Sequence, residues 1–594
     1  MTRPDATATL ARRGIRDVDV VSAMTVGLSW GVRELGTPSP TIRPVSRVSA
    51  RRTALALGLL GLVYALPLVG LMRYQGPPME EGFMLSFPQQ VMAGRLPNRD
   101  FLHLYGPGSL WVLAGAYKVF GDYLLTERTV GLIQLMLIGG GIFWLALPWG
   151  RKIALACGTI AAIIIIPPTG LTAMAWNGGV GLALVGLAAG CATSRRTETK
   201  GSTWRYVASG ALGGAALLYR PDMIVAIALG FGCLLWGLDW AARKRVLAGA
   251  GAVVSLIVIQ LVTAGFGNSF QGMFIDPVFK LRGGRSLPVP PSWGQLDGYL
   301  QKAGGLRVAN WPLPMPATSN QVFLWFFLTP LAAVVVAATG TWLVRSGRDP
   351  LRSRTLMAAG LFAVGLLPQA VQRPDTAHFA WVSCVGLGLL PVAFHVLAEA
   401  RLADKPRTLR LGASVGVVAF LLIGIFPFFS VRTYVDLVGQ SFGHNRFGYP
   451  MERDGRTFYY GSQDAATDAQ TVIDSLDEHA KPGERLFVGP KDLRKTPYSD
   501  AFLYYLFPDL VPATRYIEMD PGMANAPDSG LADDVRSADW LILSDVWSTW
   551  DEPNDSRVFG PAEPNQVVRD DFCPVTTTKS FQLLERCDRQ TTPS

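Results

Sequence analysis

Charge is scarce in this chain. Only 17% of its 594 residues are Asp, Glu, Lys or Arg, against about 25% in an ordinary soluble domain. The shortage lies between Thr53 and Ser430, where apolar runs alternate with short basic clusters. Histidine and cysteine are scarce too, with five and six residues. No CxxC or Cys/His spacing is present, which leaves no basis for a structural zinc site. No Gly-rich nucleotide fingerprint appears, and no nucleic-acid-binding motif accompanies the net charge of +9. In a membrane protein such an excess of Lys and Arg marks cytoplasmic loops, so no nucleic-acid partner is expected.

Long apolar runs dominate instead. A spanning helix needs about 20 apolar residues. Eleven stretches approach that length: Thr53–Met72, Thr129–Leu147, Ile153–Ile166, Leu171–Cys191, Tyr206–Tyr219, Met223–Trp240, Val246–Phe266, Val322–Val344, Leu356–Ala370, Phe379–Leu397 and Leu411–Ser430. Pro167-Pro168 is expected to break the third. Basic clusters fall at every second connection: Arg51-Arg52, Arg151-Lys152, Arg195-Arg196 with Lys200, Arg243 to Arg245, Arg345 to Arg354, and Arg401 to Arg410. The positive-inside bias puts these ends in the cytoplasm. The reading is a polytopic α-helical protein of the plasma (inner) membrane, with about eleven transmembrane helices and a cytoplasmic N-terminus.

Three regions follow. Residues 1–52 lack the continuous apolar stretch of a signal peptide and read as a disordered cytoplasmic tail. Residues 53–430 form the transmembrane domain, with outer loops at 73–108 and 267–320. Residues 431–594 lie outside after an odd number of spans. There, helix signals at Ala465–His479 and Asp500–Leu506 alternate with strand signals at Arg485–Val488, Thr514–Ile517 and Trp540–Leu543, so a small extracytoplasmic α/β domain is expected. Cys573 and Cys587 sit in that domain, and an oxidising compartment favours a disulfide between them. Cys157, Cys191, Cys233 and Cys384 read as small apolar residues of the spans.

Residues able to do chemistry gather in the outer loops. The first holds Glu80-Glu81-Gly82, then Gly94-Arg95-Leu96-Pro97-Asn98-Arg99-Asp100-Phe101, then His103 and Tyr105-Gly106-Pro107-Gly108. Glycine and proline at this density fix a loop's backbone. Two short connections on the same side carry Arg220-Pro221-Asp222 and Gln372-Arg373-Pro374-Asp375 with His378. These charges are tethered close to the membrane surface. The bland alternative is that they cap helices or snorkel. Lys280, Arg282, Arg285 and Trp293 sit in the long loop, which either covers a site or packs on headgroups. The aromatic residues of the C-terminal domain, among them Tyr498, Tyr504, Tyr505, Tyr516, Trp547 and Trp550, read mainly as core.

The acidic pair followed by Gly, the Arg-Asp-Phe stretch and Tyr-Gly-Pro-Gly together resemble the first loop of the GT-C superfamily of membrane glycosyltransferases. The likeness is to bacterial protein O-mannosyltransferases and aminoarabinose transferases. It covers the first loop and its flanking helices. It implies a polyprenyl-phosphate-linked sugar as donor, an extracytoplasmic acceptor (cell-envelope glycan, lipid or protein), and an acidic catalytic residue at Glu80 with Glu81 beside it. The family usually has Asp where this chain has Glu80, and Asp100 competes for the role. Arg99, His103, Tyr105, Arg220, Arg373, Asp375 and His378 are the candidates for binding donor phosphate or acceptor. No cofactor is certain. The resemblance gives the position of Glu80 the role of base or metal ligand, and Asp375 with His378, by their own chemistry, could bind a metal or the acceptor, so a divalent ion would fall to these three. The rival readings are a lipid or polysaccharide flippase and a non-catalytic envelope scaffold. A transporter keeps ionisable groups inside its spans, and the eleven stretches carry almost none.

Overall fold

A computed structural model describes residues 50–194, 203–290, 312–444, 448–549 and 552–590. Trp293, Trp550 and the cluster Arg195, Arg196 and Lys200 lie outside the described residues, as does the expected tail up to residue 49. By its contacts the chain divides into Met1–Arg51 and Arg52–Ser594. Of the first unit, Ala50 and Arg51 are described, as the start of the first helix. Apart from those two residues of the first helix, everything below belongs to the second.

Helices occupy every stretch expected to span. In chain order they are α1 (Ala50–Ala65), α2 (Leu68–Met72), α3 (Glu80–Met92), α4 (Gly108–Phe120), α5 (Leu124–Ala146), α6 (Arg151–Thr169), α7 (Ala175–Ser194), α8 (Thr203–Tyr219), α9 (Ile224–Trp236), α10 (Trp240–Val254), α11 (Ile257–Thr263), α12 (Phe266–Phe270), α13 (Leu281–Arg285), α14 (Thr318–Arg345), α15 (Pro350–Gln372), α16 (Thr376–Arg401), α17 (Arg407–Gly424) and α18 (Thr433–Ser441). Eight segments among the described residues are long and apolar enough to cross a membrane. The sequence led us to expect about eleven. The other three stretches are helical but shorter: α1 and α2 part at Leu66-Pro67, α8 has 17 residues and α9 has 13. Pro167 and Pro168 do not break α6; they sit inside its last turns, and Gly170 at φ 56° ends it.

The exposed faces of these helices are apolar. Val262 is 75% exposed and Phe420 72%. In water such faces would be aggregation sites, whereas in lipid they are the expected surface. Between helices, small residues set the approach. A Cβ at Gly210 of α8 would lie 1.8 Å from the Val246 carbonyl oxygen of α10. Close packing of this kind replaces the hydrophobic drive that lipid removes.

The C-terminal region begins with a hairpin, β1 (Tyr449–Arg453) and β2 (Arg456–Tyr460). A five-stranded sheet of order β4-β3-β5-β7-β6 follows. β4 (Val511–Pro512), β3 (Arg485–Pro490) and β5 (Trp540–Ser544) run parallel; β7 (Phe581–Arg586) and β6 (Phe572–Thr577) complete it antiparallel. The helix Gln463–His479 begins where the Ser462 hydroxyl accepts the Ala465 N–H, and its apolar stripe is buried. Thr514–Ile517 is not a strand. The Thr514 hydroxyl accepts the Tyr516 N–H in a local turn, and the Arg515 carbonyl accepts the Leu102 N–H of the first loop. Cys573 and Cys587 are disulfide-bonded, and the other four cysteines are free and buried.

Candidate functional site

The first loop turns into the fold at Pro77-Pro78, and α3 starts at Glu80. Two carboxylates in the first turn suit the positive end of a helix, yet their environments differ. Glu81 is 1% exposed and makes a two-pronged ion pair with Arg128 of α5, 2.8 Å on each arm. Arg128 also donates to the Leu71 carbonyl at 3.0 Å. Its neighbour Glu127 accepts the Ala173 N–H at 2.6 Å. Glu80 instead accepts a hydrogen bond from the Tyr498 hydroxyl.

Around Glu80 lies a cavity of about 380 Å³, lined by the loop ends of several spans and by the C-terminal region. Of the residues singled out from the sequence, Glu80, Glu81, Tyr105, Arg220, Arg373, Asp375 and His378 all line it. Arg220 forks onto Asp222 and stacks over the Tyr105 ring, 4.8 Å from its centroid, with Trp176 and Trp381 at 5.9 and 5.8 Å. Arg373 reaches Asp375 at 2.7 Å and Glu552 at 2.7 Å, and donates to the Arg285 carbonyl at 2.7 Å. Asp375 caps α16, taking the His378 N–H and meeting its ring Nδ1, both at 2.8 Å.

Three expected residues lie elsewhere. Arg99 and Asp100 pair with each other at 2.9 Å, and Asp100 takes the Leu96 N–H at 2.7 Å. Adjacent in sequence, they close their own loop rather than the cavity. His103 is fully buried and packs edge-on against Phe87 and Tyr105. Burial lowers its pKa to about 4 despite the Gly106 carbonyl nearby, so the ring is a neutral core group.

Tyr498, Glu552, Asp520 and Arg285 also line the cavity; nothing local in the sequence marks the first three for it, and Arg285 is one of several cations of its loop. Arg285 makes 2.8 Å contacts to both Glu518 and Asp520. One guanidinium cannot neutralise two buried carboxylates. Burial and the Asp520 charge therefore push Glu518 up to about 8, against the pull of Arg285. Asp520 is raised as well, by burial. Burial also raises Glu80, opposed by the Tyr498 hydrogen bond and by Arg285 and Arg373. Burial alone would raise Asp375, but His378 and Arg373 outweigh it and hold this carboxyl well below the usual range.

Among the described residues no group of three or more His, Cys, Asp or Glu side chains is placed to hold a metal ion. The set Glu80, Asp375 and His378 does not fit one. Asp375 and His378 bind each other, Arg373 sits on Asp375, and Tyr498 holds Glu80.

Spans and site together define a multi-pass membrane protein with a polar, arginine-rich cavity where its helices meet the C-terminal region. No family model matches the chain, and no curated protein does. Among solved structures it is similar to ArnT of Cupriavidus metallidurans bound to undecaprenyl phosphate, at 15% identity over 92% of this chain and 100% of that one, with a TM-score of 0.49. It is also similar to the oligosaccharyltransferase AglB of Archaeoglobus fulgidus, in complex with an inhibitory peptide and a dolichol-phosphate. Identity there is 11% over 92% of this chain and 75% of that one, with a TM-score of 0.44. A third match is the arabinofuranosyltransferase AftD from Mycobacteria, at 14% identity over 90% and 41% of the two chains, with a TM-score of 0.34.

Proposed function

We propose that this chain transfers a sugar from a polyprenyl-phosphate-linked donor to an extracytoplasmic acceptor, with Glu80 as the base. One observation carries the reading: a single cavity holds Glu80 together with Arg220, Arg285 and Arg373. A base must take a proton from an acceptor hydroxyl, and the leaving phosphate must be met by cations. The acceptor O–H gives its proton to Glu80. Its oxygen forms the new bond to the sugar's anomeric carbon as the bond from that carbon to the phosphate oxygen breaks. The electron pair leaves with the polyprenyl phosphate, which the guanidiniums stabilise. Arginine's planar fork suits phosphate oxygens.

Access to the cavity supports a lipid-borne substrate. Ile224 and Val278 line it and are also 54% and 47% exposed on apolar helix surface. A polyprenyl tail entering between such faces stays in hydrocarbon. The basic clusters at the opposite helix ends favour an extracytoplasmic site. Acceptors consistent with this are a cell-envelope glycan, a lipid or a protein.

The test is transfer in vesicles of purified protein, supplied with radiolabelled polyprenyl-phosphate sugars and a cell-envelope acceptor. Label moving to acceptor in wild type but not in Glu80→Gln is the expected result. Lipid movement across the bilayer without sugar transfer would replace the transferase by a flippase.

A further inference from the structure

We propose that Tyr498, a residue of the C-terminal region, is a positioning residue for Glu80, so that this region completes the catalytic site. The inference rests on the transferase reading. Tyr498 and Glu80 are 418 residues apart in sequence. Their contact is directional. The Met79 N–H donates to the Tyr498 oxygen at 3.3 Å, which leaves the phenolic proton for Glu80 Oε2. A carboxylate so held cannot swing freely about its last torsions.

The hydroxyl itself is fixed from behind. Tyr498 is 2% exposed, and its ring packs on Trp547 with centroids 4.5 Å apart. The Trp547 indole donates to Asp500 at 2.9 Å, and the Tyr460 hydroxyl donates to the same carboxylate at 3.1 Å. Asp500 is fully buried, so these bonds are not shared with bulk water. The chain docks at the same place: the Phe502 N–H donates to the Pro78 carbonyl at 3.1 Å, two residues before Glu80. Placement of a reacting group matters steeply, since a misplacement of about 1 Å costs on the order of 10²-fold in rate. A side chain that only filled the core would have no reason to spend its hydroxyl on the base.

The experiment reads Glu80 directly in the full-length purified protein. The infrared difference between wild type and Glu80→Gln isolates the Glu80 carboxyl band. Tyr498→Phe removes the donor and should move that band to higher frequency. Incorporating 3-fluorotyrosine at 498, a stronger donor of almost the same shape, should move it lower. The fluorinated protein keeps the test valid if the Phe variant does not fold. In the transfer assay, Tyr498→Phe should lower kcat by about 10-fold to 100-fold with KM little changed, the pattern of a group acting on the transition state. A band unmoved in both variants, or a moved band with kcat intact, overturns the proposal. A wild type that turns over no donor sinks the transferase reading and the catalytic role with it, while the band still reports whether the contact exists.

Discussion

Arg128 and Glu81 close a buried ion pair, 2.8 Å on both arms, between α5 and the first turn of α3. One residue earlier, Glu80 is held by a phenol instead. The adjacent carboxylates therefore carry different duties, and substitution separates them. Glu80→Gln should lower transfer by about 10²–10⁴-fold, the range of a lost general base, with unfolding temperature unchanged. Glu81→Gln leaves Arg128 buried without its counter-charge and should cost about 3–5 kcal/mol of stability. Thermal unfolding and transfer rates on the two variants decide it. Equal stability with equal loss of rate would make Glu81 a second catalytic group.

The pH profile follows from Glu80's burial. A base must be ionised, and burial lifts this carboxyl above its ordinary value of about 4.3 despite Tyr498, Arg285 and Arg373. Transfer should fall as pH drops through that elevated pKa, so the acid limb of kcat/KM lies above the normal Glu range. The stability sign is opposite. A carboxyl raised in the folded state contributes most below its unfolded pKa, and that contribution fades as pH rises through the folded value. Glu80→Gln should accordingly be at least as stable as wild type at neutral pH. An acid limb at or below the ordinary value would contradict the assignment.

How much of this was legible in the sequence divides along local and distant contacts. Hydrophobic runs and basic punctuation mark helices, because lipid leaves the backbone no alternative but internal hydrogen bonding. The start of α5 was harder. The apolar run begins at Thr129, directly after Glu127-Arg128, yet α5 starts at Leu124. Tertiary partners make those charges tolerable there: Glu81 and the Leu71 carbonyl for Arg128, and the Ala173 N–H for Glu127. Arg220 and Arg373 sit in short connections between apolar runs, and Glu80 belongs to the acidic pair that opens the first loop's motif, so local sequence marks all three. Tyr498, Glu552 and Asp520 carry no such local mark for the cavity, since an aromatic or acidic residue of the C-terminal region has no periodicity announcing what it will meet. Asp100 misled for the converse reason: its motif was local, and so is its partner Arg99.

The bridge between Cys573 and Cys587 spans 14 residues and ties the edge strand β6 to the first residue after β7. A loop of this length contributes about 3 kcal/mol in the chain-entropy model. Both thiols should resist maleimide labelling until reduced, and the double Cys→Ser variant should unfold earlier by about that amount. Immediate labelling of the native, unreduced protein would refute the bridge.

Gly82 offers the sharpest steric test of how the site is assembled. It sits two residues after Glu80, where α3 meets the backbone of Ala501 and Phe502. A Cβ at this position would lie 2.2 Å from the Phe502 nitrogen and 2.7 Å from the Ala501 carbonyl carbon. Both obstacles are main chain, so no side-chain rotation relieves them. The added methyl must push α3 away from the segment that carries Tyr498, stretching the Tyr498–Glu80 contact and the Phe502–Pro78 hydrogen bond together. Gly82→Ala should therefore lose transfer by about 10²-fold, by displacement of the base, although no charged or hydrogen-bonding side chain has been altered. Gly58→Ala in α1, where nothing lies within 4 Å of the added carbon, is the matched control and should keep wild-type rates. Near-normal transfer by Gly82→Ala would show that the base tolerates movement of α3, and that the close approach of the two segments serves folding alone.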